Sequence, residues 1–148
     1  MSATYSASAI AQWFVNRAAM DVSDGGEYLT HLKLQKLLYY AQGCYLALKK
    51  EPLFDEEIYC WTHGPVVSTV YQEYKHFKDN VLDNVNPVKI DKTTEDILDE
   101  VYNVFGQYSA LRLRSMTHAE TPWKTTKQNK VIPLDVIKDY FEKNYISK

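Results

Sequence analysis

The residues best able to do chemistry gather in the stretch CWTHGPVVSTVYQEY, residues 60–74, where Cys60 and His63 precede Gly64 and Pro65. A thiol and an imidazole this close could serve as nucleophile and general base of a small hydrolase. Such a pair works only when a third group orients the base and donors await the oxyanion, and the sequence has no pattern for either. Cys60 as a small hydrophobe on the inner face of a short strand is the simpler reading. The four histidines, His31, His63, His76 and His118, fall on different segments and make no HExxH or other paired-ligand spacing, so no zinc site is expected. The glycines form neither GxGxxG nor a phosphate loop. No catalytic residue and no cofactor are therefore expected.

The other use for such a stretch is a surface that grips another macromolecule. Lys and Arg total 17 against 19 for Asp and Glu, a formal net charge of -2, which lacks the basic excess that phosphate backbones require. Nucleic acid is not the expected partner, and a helix-turn-helix autoregulatory role is disfavoured on the same ground. Aromatic residues reach 14%, with 12 tyrosines, and tyrosine beyond the needs of a core suits a surface that will be covered. With 148 residues, 45% of them hydrophobic, the chain can bury a core without disulfides or metal, and one domain over residues 1–148 is expected. Cys44 and Cys60 are too far apart for a CxxC pair and read as reduced thiols of a cytoplasmic protein. No stretch approaches the ~18–20 unbroken apolar residues of a membrane span, and MSATYSASAIAQWF lacks the basic start of a secretory signal. A soluble, intracellular protein is expected.

The elements that must position the stretch are mainly helical. Ser6 or Ser8 can cap a first helix to about Met20, with Ile10, Trp13, Phe14 and Arg17 at helical spacing, and DVSDGGEYLT breaks it. Thr30 can cap HLKLQKLLYYAQGCYLALKK, apolar at Leu34, Leu37, Leu38, Ala41, Tyr45 and Leu48. Tyr39, Tyr40 and Leu46 extend that character around the circumference, so this helix belongs in the middle of a bundle. EEIYCW reads as a short strand. Gly64 can take a positive φ and Pro65 suits a first helical position, which predicts a third helix from there, striped by Val67, Val70, Tyr71, Tyr74 and Phe77.

The segment KDNVLDNVNPVKIDK is a loop with room for one short strand at Val88 to Ile90. A fourth helix is expected from near Thr93, burying Ile97, Leu98, Val101, Val104 and Phe105, with Gly106 at its C-cap. Ser109 caps a fifth, which ends by Thr121 because Pro122 disfavours helix before it. A strand at Val131 and Ile132 is possible, and a last helix over Pro133 to Asn144 carries Val136, Ile137, Tyr140 and Phe141. The fold class expected is mainly α (α+β): a compact single-domain bundle of about six helices with one or two short edge strands.

Three blocks, HLKLQKLLYYAQGCYLAL, PLFDEEIYCWTHGPVVSTVYQEY and YSALRLRSMTHAETPW, together resemble the Panacea antitoxin domain, the grouping of SocA-like and phage-associated GepA-type proteins. They stand in family order, from about residue 8 to residue 145, and LKLQKLLYYAQ, GPV entering a helix, and THxExPW form a specific constellation. Thr62 and His63 depart from it where an aromatic residue or arginine is common before the glycine. Arg112 stands where an acidic residue would complete a capping box from Ser109. The resemblance implies a bacterial or prophage antitoxin that neutralises, by direct protein–protein binding, a toxin encoded by the adjacent gene. A proteolytic adaptor that delivers the toxin to a Clp-type protease is the alternative. Neither role involves catalysis.

The residues themselves suggest where a partner would be held. Gly64 and Pro65 set the angle between strand and helix, Trp61 fills the space beneath, and the N–H groups of the helix start could receive a partner's carboxylate. In THAETPW, Glu120 and Thr121 can bond the neighbouring backbone while Trp123 packs back on the core, and His118 reads as a structural histidine. Along the third helix Gln72, Glu73, Lys75 and His76 face outward. The candidate partner-binding set is thus Trp61, His63, Gly64, Pro65, Tyr71, Gln72, Lys75, His76, His118, Glu120 and Trp123.

Overall fold

The structure, a computed structural model, describes residues 3–78 and 80–146. The expected domain limits at residues 1 and 148, the first two residues of the N-terminal segment and position 79 of the polar loop lie outside the described residues. Helix α1 spans Ala7–Asp21, α2 His31–Lys49, α3 Ser68–Tyr74, α4 Lys92–Phe105, α5 Ala110–His118, α6 Thr121–Lys124 and α7 Leu134–Asn144. One two-stranded antiparallel sheet joins β1, Ile58–Trp61, to β2, Gly64–Val67. The expected class, mainly helical with short strands, is what the chain adopts.

Capping chemistry fixes several helix starts. The side chains of Ser6, Thr30 and Ser109 accept from the backbone N–H groups of Ala9, Lys33 and Arg112, supplying acceptors for donors left over at each first turn. Asp91, not anticipated as a cap, accepts from the Thr94 N–H and sets the start of α4 at Lys92. Pro122 does not stop helix altogether. It occupies the first turn of the four-residue α6, where its missing N–H costs nothing.

Helix α2 is the central mast, packed against α1, α3, α4, α5, α7 and β2. Leu34, Leu37, Leu38, Tyr39, Tyr40 and Ala41 are all 0% exposed, so successive residues on every side find a neighbour, as a helix apolar around its circumference requires. Where α7 crosses, the Phe141 ring sits so close to Gly43 that a Cβ there would lie 2.4 Å from ring carbons. Two glutamines seven apart serve as backbone clamps. Gln42 donates to the Phe54 carbonyl (2.8 Å) and accepts from the Leu53 N–H (2.7 Å). Gln35 does the same for Val67, accepting at 2.8 Å and donating at 3.3 Å. Each amide satisfies a loop's or strand's buried backbone groups from the mast, which fixes their height along it.

The expected entry of Gly64 and Pro65 into a helix is corrected. Thr62 and His63 form a two-residue turn, and the chain doubles back so that Gly64 pairs with Trp61, Pro65 with Cys60 and Val67 with Ile58. The β-branched pair Val66 and Val67 favours extended backbone, and helix begins only at Ser68. Pro65 fits because Cys60 directs its own backbone groups to the other side, its N–H to Lys130 O (2.9 Å) and its carbonyl to the Asn129 N–H (2.7 Å). The position opposite needs no donor. The segment near Val131 thereby borders β1 as a single bridge to Tyr59, while no strand forms at Val88 to Ile90. Val104 and Leu48, expected in the core, are 39% and 48% exposed. They flank a groove between α2, α4 and the C-terminal segment.

Candidate functional site

The hairpin turn and α3 bring part of the candidate set together. Trp61, His63, Tyr71 and Lys75, with His31 and Lys78, line a cleft of about 320 Å³. Tyr71 is 37% exposed. Its ring meets Trp61 edge-on, centroids 5.1 Å apart, and the His31 ring at 4.9 Å. Tyr74, three residues on, is buried against the core, so the two tyrosines of the stripe divide between the roles open to them. Apolar rings thus floor the cleft, and among the described residues its lining carries histidines and lysines and no Asp or Glu. Gln72 and His76 are exposed on the same short helical segment but do not line the cleft.

The other candidates lie behind the turn. Gly64 and Pro65 are buried and act on the surface only through the geometry they impose. Gly64 has φ +120°, and a Cβ on it would stand 2.7 Å from Lys36 Cε and 3.0 Å from Thr117 Oγ1. We expect Gly64→Ala to lose about 2 kcal/mol of stability, combining a left-handed conformation costly for alanine with overpacking. Urea denaturation measures this, and an unchanged midpoint would show that neither constraint is real. Trp123 donates its indole N–H to the Trp61 carbonyl (2.8 Å) and stacks on His118 at 4.0 Å, tying α5 and α6 to the end of β1.

Glu120, counted among the partner-binding residues, is 3% exposed, so it is not on the surface of this structure. Nor does its carboxylate bond the neighbouring backbone as expected. It accepts from Tyr39 at 2.9 Å, from Tyr40 at 3.0 Å and from Tyr145. Three hydroxyl donors on two oxygens suit a group that only accepts. Burial raises the Glu120 carboxyl above its ordinary range, and the three hydroxyls pull it partly back.

The thiol–imidazole reading finds no geometric support. Cys60 is 3% exposed, its Sγ–H donates to the carbonyls of Thr126 (3.3 Å) and Trp123 (3.5 Å), and burial raises its pKa. A thiol held protonated against carbonyls is a poor nucleophile, and His63 stands exposed on the turn. Among the described residues no group of three or more His, Cys, Asp or Glu could hold a metal ion, and no helix is long and apolar enough to cross a membrane.

Sequence reasoning missed Lys36, Arg114 and the two glutamine clamps. Lys36 is 0% exposed. A charged residue inside a segment as apolar as LKLQKLLYY cannot reach solvent once every face is covered, and that was the available signal. Gln35 and Gln42 gave the same signal by falling seven apart, on one face of the mast.

Residues 34–124, more than half the chain, match the family described as Antitoxin SocA-like, Panacea domain, and the chain belongs to that family of antitoxins. Among curated relatives, Antitoxin SocA of Caulobacter vibrioides (strain NA1000 / CB15N) is 29% identical over 132 residues, covering 79% of this chain and 68% of that protein. No solved structure matches the chain.

Proposed function

We propose that this chain, acting in the cytoplasm as one domain, neutralises a protein toxin encoded by the adjacent gene by binding it directly. The contact face in this reading is the cleft between the hairpin turn and α3. The observation that carries it is the placement of Trp61 and Tyr71 as neighbouring rings in a concave surface edged by His63, Lys75 and Lys78. Interfaces concentrate their energy in a few aromatic anchors within a polar rim, and the cationic rim selects an acidic counterpart. The groove beside Val104 and Leu48 is also apolar, but Asp96 and Glu100 line it and it has no counterpart of the Trp61–Tyr71 pair. The reading requires no catalysis, nucleic acid or membrane.

Co-expression with the product of the adjacent reading frame tests the proposal. The neighbour alone should arrest growth, and with this chain present the toxin should be recovered intact in a stable complex. Tyr71→Ala should weaken that complex about 30-fold, the effect of an anchor worth ~2 kcal/mol, while leaving the free chain's unfolding midpoint nearly unchanged. A harmless neighbour, persistent toxicity, or toxin that vanishes only when a Clp protease is also present would each overturn direct neutralisation.

A further inference from the structure

Beneath the Thr62–His63 turn, three side-chain nitrogens lack an acceptor. Lys36 Nζ, Arg114 Nε and His118 Nε2 are all buried and make no hydrogen bond within the chain. They belong to one cluster. Lys36 Nζ would lie 3.1 Å from a Cβ on Gly64, Arg114 acts on the charge of both Lys36 and His118, and Lys36 and His63 act on His118 as well. All of these side chains are basic, and the other group acting on His118 is the Thr62 backbone, which raises it through a hydrogen bond. Among the described residues none of the ion pairs involves Lys36, Arg114 or His118, and the adjacent Thr117 hydroxyl donates to its own helix, at the Arg114 carbonyl (2.9 Å).

Buried donors without acceptors are costly, and buried cations without counter-charge more so. Three unpaired nitrogens at one point, one of them on the fully buried Lys36, would be served by a single shared acceptor. That group must accept several hydrogen bonds and carry negative charge, which describes an oxyanion. The Lys36 side chain lies directly against the backbone of Gly64, where any Cβ would crowd the ammonium, so the cluster sits immediately beneath the turn. Lys75 and Lys78 in the cleft lining bias the approach toward anions. We propose that Lys36, Arg114 and His118 form a binding site for an oxyanion, a carboxylate or phosphate group, beneath the hairpin turn. The group is either a free small anion or a carboxylate of the bound protein partner. The site rests on the chain's own geometry and does not depend on the toxin-binding reading.

Inorganic phosphate and acetate are the probes, titrated separately into the isotope-labelled free chain at constant ionic strength held with chloride. Saturable shifts of the Gly64 amide and the His118 ring are expected. With either anion bound, the His118 titration midpoint should rise from the lowered position that burial, Arg114, Lys36 and His63 give it. Lys36→Met and, as a variant at a half-exposed residue, Arg114→Gln should each weaken binding about tenfold or more. No saturable shift with either probe, or equal shifts in both variants, overturns the site. The purified complex separates the sources. Phosphate that competes with complex formation identifies a partner carboxylate in the site, and phosphate that binds free chain and complex alike identifies a free anion.

Discussion

Replacing Glu120 with alanine will lower the thermal unfolding midpoint by about 10 °C, the equivalent of roughly 4 kcal/mol in a chain of this length. Truncation strands the hydroxyls of Tyr39, Tyr40 and Tyr145, which all bond the carboxylate. Tyr39 and Tyr40 are 0% exposed, so water cannot take its place without opening the packing of α2 against α7. An orphaned buried donor costs ~1–3 kcal/mol. Tyr39→Phe, which removes one donor and orphans none, should cost only about 1 kcal/mol, and equal losses from the two changes would refute the account. The pH dependence has a definite sign. The folded Glu120 binds its proton more readily than the ordinary 4.5 implies, so wild type should gain stability relative to Glu120→Gln as pH falls through the raised value toward 4.5, and lose it in reverse.

The second large effect has the opposite sign. In anion-free buffer at neutral pH, Lys36→Met should be more stable than wild type, by on the order of 4 kcal/mol if burial acts in full. Burial, seconded by Arg114, pushes the Lys36 ammonium down to about 7 from the ordinary 10.5. Below pH 7 the folded protein holds an unwanted charge. Between 7 and 10.5 only the unfolded chain holds the proton, so wild-type stability climbs with pH and the variant's advantage shrinks. The groups around Lys36 do not reverse this: His31, His63 and His118 are histidines whose charge, where present, adds to the repulsion at low pH, and Arg114 stays cationic throughout. A Lys36→Met midpoint at or below wild type across pH 6–10 would mean that the ammonium has a partner within the fold.

The framework of helices was legible because it follows from period and cap chemistry. The all-round apolar character of residues 31–49 identified the mast, and Ser6, Thr30 and Ser109 marked helix starts that their side chains do cap. The corner was misread for a local reason. Pro65 is equally at home at a helix start and at a strand position that needs no donor, and only the pairing of Cys60 with Lys130 and Asn129, about 70 residues on, decides between them. Glu120 and His118 sit two positions apart on one segment, yet one faces three tyrosines and the other a cationic cluster. That division depends on which part of α2 lies opposite each, which no local pattern encodes. Of the cleft, Trp61, His63, Tyr71 and Lys75 could be grouped because they are near in sequence. His31 joins them from another helix through tertiary packing alone.

The crossing of Phe141 over Gly43 bears on where the family match ends and where the packed unit ends. The span common to the family, residues 34–124, omits both α1 and α7, yet Ile10, Phe14, Ile137 and Phe141 from those helices are each 0% exposed. A fragment trimmed to the shared span would bare two long sides of the mast, including the tyrosine pair that holds Glu120. The unit that folds is therefore longer than residues 34–124 and includes both flanking helices.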